Sequence, residues 1–364
     1  MIQLAWRQFR TQALVAYGLL AVIAVIVVIT GVQLVHYYGA YVATCGAHGD
    51  CGTVQTAFLA RDHAVQASLG PILLLLPALI GMFWGAPLIA RELETGTFRL
   101  AWTQSTTRGR WLTVKLVMLG LASMAAAGLL SLAVTWWFSR IDQLNLNRFS
   151  NGVFEDRGIV PIGYAAFAFA LGVTAGVLIR RTVPAMAATL LPYLGARLAV
   201  AFWIRPHLMS PLRAIAPVSL GALSTPGLPG TANAPGLGAP NPADLVLSSE
   251  TLNKAGQVIG QDGGISTPNG AQGIGFQPRP DGLWLQGVGR CPNIPAGTPI
   301  GPGSNLARSG ALQTCVDKLG VHQQLIYQPI SRYWIFQWCE LGIFLAAAAV
   351  LAGFCFWWVR RRLA

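Results

Sequence analysis

Six stretches of the chain are apolar over about twenty residues or more: 12–35, 68–90, 116–138, 160–179, 183–204 and 333–359. The first four contain no Asp, Glu, Lys or Arg, and the last two are each broken by one charge, Arg197 and Glu340. A bilayer core about 30 Å thick needs roughly 20 such residues in helical form. Surface helices of soluble proteins keep a polar stripe, and these runs have none. The pattern therefore predicts an all-α polytopic membrane protein with six transmembrane helices. The first run is longer than the roughly 7–15 apolar residues of a cleaved leader and reads as a retained anchor. The predicted organisation is an N-terminal helix and spans one to five over 1–204, a large extracellular segment over 205–332, and span six with a basic tail over 333–364.

Charge placement orients the spans. Twelve Lys and Arg fall in the N-terminal segment, the second-to-third and fourth-to-fifth connections and the C-terminal tail, within about 45 residues. The opposite connections spread another twelve over about 180 residues. Cytoplasmic loops carry the excess of positive charge. Both termini are thus expected in the cytoplasm, with the chain in the plasma membrane. Only 10% of residues are charged, too few for an ordinary soluble enzyme, and the net charge of +12 becomes a topology signal that calls for a lipid bilayer and no nucleic acid.

The long connection 205–332 holds 20 of the 41 Gly and 16 of the 22 Pro, and mostly turns and irregular chain are expected there. Cys45 with Cys51, and Cys291 with Cys315, fall on the outer side and read as two local disulfides in an oxidising compartment. The five histidines show no metal-ligand spacing, so no metal is expected. No GxxxxGK[ST] loop, GxSxG elbow or HExxH pair occurs. No catalytic residue is assigned and no cofactor is expected on this chain. Any ATP must be handled by a partner.

The most informative connection is Arg91 to Lys115, RELETGTFRLAWTQSTTRGRWLTVK. Glu92 and Glu94 ahead of Phe98, Leu100 and Trp102 predict a short amphipathic helix within about 91–111, interrupted at Gly96 and by the polar run that follows. Glu94, Gly96 and Thr97, then Arg108 and Lys115, resemble the hallmark segment of type-2 ABC exporter permeases, especially actinobacterial ones. The stretch YQPISRYWIFQWCELGIFL resembles that group's entry into span six. The resemblance implies a coupling helix, with Glu92, Glu94, Gly96, Thr97, Phe98, Leu100 and Trp102 as the docking element for a separate ATP-binding cassette ATPase that carries ATP and Mg. It implies a second permease, identical or related, and outward transport by alternating access. Residues 2–10 resemble an interfacial elbow helix. The alternative function is a non-transport sensor or assembly protein that binds an outer partner through 205–332.

A charge at a span centre costs about 2.5–3.5 kcal/mol on insertion scales, so Arg197 and Glu340 should not be alone. Each lies seven residues from the outer end of its span, roughly 10 Å deep at about 1.5 Å per residue, and an ion pair between them is expected. Phe83, Trp84 and Tyr193, near the span prolines, are candidates for lining a substrate path for an amphiphilic or drug-like molecule.

Overall fold

The computed structural model describes residues 2–48, 63–96, 107–139, 142, 149, 153–217, 244–261, 265–266, 272–273, 276–279, 282–285, 288–291 and 311–362. Two compact units emerge, one formed by Met1–Leu144, Asn151–Leu208 and Trp334–Ala364, the other by Asn145–Ser150 and Met209–Tyr333.

The first unit is a helical bundle. Helix α1 runs Ile2–His48 and α2 His63–Ile80, continued through a π-helical turn at Gly81–Gly85 into α3, Ala86–Thr95. Then come α4, Arg108–Phe138, α5, Val160–Ile179, and α6, Thr182–Ala199. A second π turn, Val200–Ile204, and one 3-10 turn, Arg205–His207, extend α6. Among the described residues, six helical segments are long and apolar enough to cross a membrane: Tyr17–Ala40, Ser68–Thr95, Gly109–Phe138, Val160–Ile179, Thr182–His207 and Ile330–Arg361. The last contains α8, Tyr333–Arg362. The elbow expected at 2–10 is instead the start of α1, for no Gly or Pro precedes Gly18 to break the helix.

Helix α5 is the centre of the bundle. It is apolar on every side, and 72% of its span is buried, against 17% of the span in α1. Its contact with α2 and α3 is made backbone to backbone. A Cβ on Gly172 would lie 2.1 Å from the Gly81 carbonyl oxygen, one on Gly85 2.6 Å from that of Phe169, and one on Gly176 2.6 Å from that of Ala86. Gly81 with Gly85, and Gly172 with Gly176, are thus facing small-xxx-small pairs. In a bilayer, where lipid is as apolar as leucine, such close approach is what drives helix association. Helix α1 joins the bundle through α4. The Tyr17 hydroxyl donates to the Ala122 carbonyl at 2.8 Å and the Trp137 indole to Thr30 Oγ1 at 3.0 Å.

The second unit departs from an all-α fold, and among its described residues strands stand where mostly turns and irregular chain were expected. Strands β1 (Leu212–Pro217), β2 (Leu245–Leu252), β3 (Val258–Gln261) and β9 (His322–Gln328) form an antiparallel sheet in the order β1-β9-β2-β3. Short strands β4 (Ile265–Ser266) and β5 (Gln272–Gly273) pair, as do β6 (Phe276–Arg279), β7 (Gly282–Leu285) and β8 (Gly289–Cys291). A disulfide joins Cys291 of β8 to Cys315 of helix α7, Ala311–Lys318. The physical reason is local. The Gly and Pro are averaged over a long segment, yet LVLSSETL and HQQLIYQ contain neither and carry enough β-branched and apolar residues to pair, with Leu325 and Val246 buried between them.

Candidate functional site

The feature that organises the bundle is a loop between α4 and α5. Its residues Glu155, Asp156 and Arg157 are each less than a tenth exposed. Several helices hold this loop down. Gly158, at φ 72°, turns the chain; its carbonyl accepts from the Ser131 hydroxyl at 2.7 Å and its N–H donates to Thr135 Oγ1 at 3.1 Å. A Cβ there would lie 2.7 Å from Gln337 Oε1, so the position demands glycine for space as well as for φ. Gln337 Oε1, from α8, accepts the N–H groups of Ile159 and Val160 at 3.0 and 3.2 Å, and its Nε2 donates to the Phe154 carbonyl at 3.0 Å. A neighbouring helix thus satisfies the N–H groups of Ile159 and Val160 at the start of α5, while the Ile162 N–H bonds back to the Ile159 carbonyl at 3.2 Å.

Around this loop the buried charges form a chain. Arg197 donates from Nε and Nη2 to Glu155 Oε2 at 3.1 and 2.8 Å. Glu155 Oε1 accepts from Arg205 Nη2 at 3.0 Å. Arg205 in turn reaches Glu340, Nε to Oε2 at 3.0 Å and Nη2 to Oε1 at 3.1 Å. The Tyr164 hydroxyl also donates to Glu340 Oε1. Each guanidinium lies over an aromatic ring, Arg197 over Tyr164 at 4.5 Å and Arg205 over Phe154 at 4.4 Å. Arg197 Nη1 further donates to the Leu74 carbonyl of α2 at 3.1 Å.

The expected Arg197–Glu340 pair is thus replaced by the order Arg197, Glu155, Arg205, Glu340. Helix geometry gives the reason. Eight residues of α-helix would place Arg205 about 80° around from Arg197. The extra residue in the π turn at Val200–Ile204 makes that separation behave like seven residues, about two turns, so both guanidiniums share one face.

The other end of the bundle carries the predicted docking element. Glu92 and Glu94 do not begin a separate amphipathic helix. They lie in the last turn of α3, which continues through the good helix formers of RELET until Gly96 closes it in the left-handed conformation, φ 72°. Glu92 pairs with Lys115 of α4. Glu94 Oε2 accepts the Thr182 hydroxyl at 2.7 Å and its N–H at 3.1 Å, at the start of α6. Thr107 then caps α4 by accepting from the Arg110 N–H at 3.3 Å. Thr97, Phe98, Leu100 and Trp102 lie outside the described residues, as does the Cys45–Cys51 pairing.

The proposed path residues are not gathered on one surface. Phe83 is half exposed, Trp84 is buried in the main core and pairs with Tyr17 at 6.1 Å, and Tyr193 is fully buried, stacked on Phe167 at 6.4 Å. Phe83 and Trp84 are consecutive residues of the π turn and so point in different directions around the helix, which separates them.

A family described as "ABC-2 membrane transporter related" matches residues 17–205, just over half of the chain. The chain belongs to this family. It is therefore an ABC-2 type permease, a multi-pass membrane component of an ABC transporter whose ATPase is a separate subunit. No curated protein and no solved structure matches it. The match ends at Arg205, so it contains Glu155, Arg197 and Arg205 of the permease cluster, and Glu340 completes the cluster from outside the matched region. Sequence reasoning missed Glu155, Arg205 and Gln337. Three successive charges, Glu155 to Arg157, immediately before an apolar run are a visible signal, as are the GMFWG and GVTAG spacings, but Gln337 carries none.

Proposed function

We propose that this permease is half of an ABC exporter, working with a second copy or a related chain. It moves an amphiphilic or drug-like substrate outward by alternating access, driven by a cassette ATPase that binds ATP and Mg. The ATPase docks on the connection after Gly96, with Phe98, Leu100 and Trp102 as its apolar face. Both termini face the cytoplasm of the cell and 205–332 lies outside, consistent with the crowding of Lys and Arg into the short connections.

The observation that carries the coupling is the tethering of the docking connection's ends. Glu92 holds Lys115 of α4, and Glu94 holds Thr182 of α6. A displacement imposed at the connection is therefore felt by three spans at once, as a two-state transporter requires of a ligand-driven change. Co-expression with the ATPase of the same transporter tests the reading. Wild-type permease should retain the ATPase through purification, and Leu100→Asp with Trp102→Asp should release it without loss of folded permease. Transport that persists with a hydrolysis-dead ATPase would overturn it.

Glu94→Ala tests the tether itself. The contact is solvent-exposed, so thermal stability should stay near wild type. ATP-driven transport per ATP hydrolysed should fall several-fold, and unchanged coupling would remove Glu94 from the mechanism.

A further inference from the structure

The cluster at Glu155 holds more carboxylates than cations. Glu155 and Glu340 each use both oxygens on Arg197, Arg205 and Tyr164. Asp156 is the surplus member. Its Oδ1 is buried and accepts no hydrogen bond, and its ion-pair contact, Arg197 Nη2 at 3.8 Å, is already committed to Glu155 at 2.8 Å. Its Oδ2 faces Gly70 of α2, where a Cβ would lie 3.1 Å away.

The groups that act on Asp156 can be taken element by element. Its own loop brings Glu155 and Arg157, and Arg157 is committed to Asp142 Oδ1 at 2.6 Å. Helix α6 brings Arg197 and the Tyr193 phenol. Helix α2 brings uncharged Gly70. Arg205 of the turn after α6 is one step removed, joined through Glu155, and Glu340 of α8 is a further step away, joined through Arg205. With all three carboxylates ionised, two guanidiniums would leave one uncompensated negative charge in a buried site, an arrangement that neutralises by binding a proton.

We propose that Asp156 is a proton-binding site, occupied while the cluster is closed as described, and that loss of the proton loosens the 153–159 loop from α6. Burial pushes the Asp156 carboxyl up to about 7 from its ordinary 3.8; Arg197 opposes the rise and Glu155 adds to it. The folded chain therefore holds the proton between these two values while the unfolded chain has lost it. The resulting stability is complete below the unfolded value and is lost as pH rises through about 7.

The test uses the full chain in lipid nanodiscs. The thermal midpoint of the wild type should fall between about pH 5.5 and about pH 8.5. Asp156→Asn, isosteric and permanently neutral, should flatten that fall and raise the midpoint at the alkaline end. Infrared spectra should show a protonated carboxylic-acid band at about pH 6 that is lost as pH rises and absent from Asp156→Asn. A variant that keeps the wild-type slope, or a band unchanged by the substitution, overturns the assignment. Should Asp156→Asn not fold, the wild-type spectrum still decides, because absence of the band at acidic pH refutes a bound proton.

Discussion

Gly172→Val is expected to abolish recovery of folded permease from membranes. The new Cβ would sit 2.1 Å from the Gly81 carbonyl oxygen and 2.9 Å from the Ala86 amide nitrogen, both backbone atoms that no rotamer change can move aside. The π turn and α5 would have to separate, and because α5 is the most buried span, the displacement would propagate into the core around Phe169 and Val173. Overpacking alone costs about 1–3 kcal/mol, and a backbone clash at the closest helix crossing belongs at or above that range. Size-exclusion recovery and thermal midpoint in detergent measure the effect. Gly195→Ala and Gly342→Ala, positions where a Cβ meets nothing within 4 Å, should behave as wild type. If Gly172→Val elutes as folded protein with an unchanged midpoint, the close crossing is not a requirement of the fold.

Arg205→Met should be nearly as damaging, for electrostatic reasons. It leaves Glu340 with Tyr164 as its remaining donor and Glu155 with Arg197 alone, and it strands a buried negative charge, a loss of about 3–5 kcal/mol by comparison with other broken buried pairs. The double change Arg205→Met with Glu340→Gln removes the stranded charge and should recover much of the lost stability. A double-mutant cycle gives the sharper readout. Coupling between Arg205 and Glu340, direct partners, should exceed coupling between Arg197 and Glu340, which are linked indirectly, through Glu155 and Arg205 and through Tyr164. Equal couplings would contradict the order of the chain of charges.

Much of the architecture was legible from one-dimensional pattern. The six apolar runs correspond to six membrane-length helices, because hydrocarbon thickness dictates a length that sequence displays directly. The runs mark where apolar composition stops and not where the helix stops. Hence α1 extends to His48 and the second span to Thr95, since helix propensity continues through polar residues until a glycine or a loop ends it. The same distinction explains Glu92 and Glu94, whose charge reads as exposed docking chemistry but whose position on α3 gives each a partner on a neighbouring helix.

The buried cluster shows where pattern stops. Arg205 stands one residue beyond an apolar run, and Glu155, Asp156 and Arg157 stand in a connection, so each counts as a loop charge along the chain. Only the folded bundle carries that loop inward, where Gln337, Ser131 and Thr135 hold it by hydrogen bonds from other helices. Sequence alone determined the span count, the surplus of positive charge on the short connections and the family-like segment at Glu94 to Thr97, since each depends on composition or local spacing. Tertiary structure decided which carboxylate meets which guanidinium, through an inserted π-turn residue that rotates Arg205 onto the face of Arg197, and which glycines bring two helices into contact, because both are relations between residues far apart in the chain.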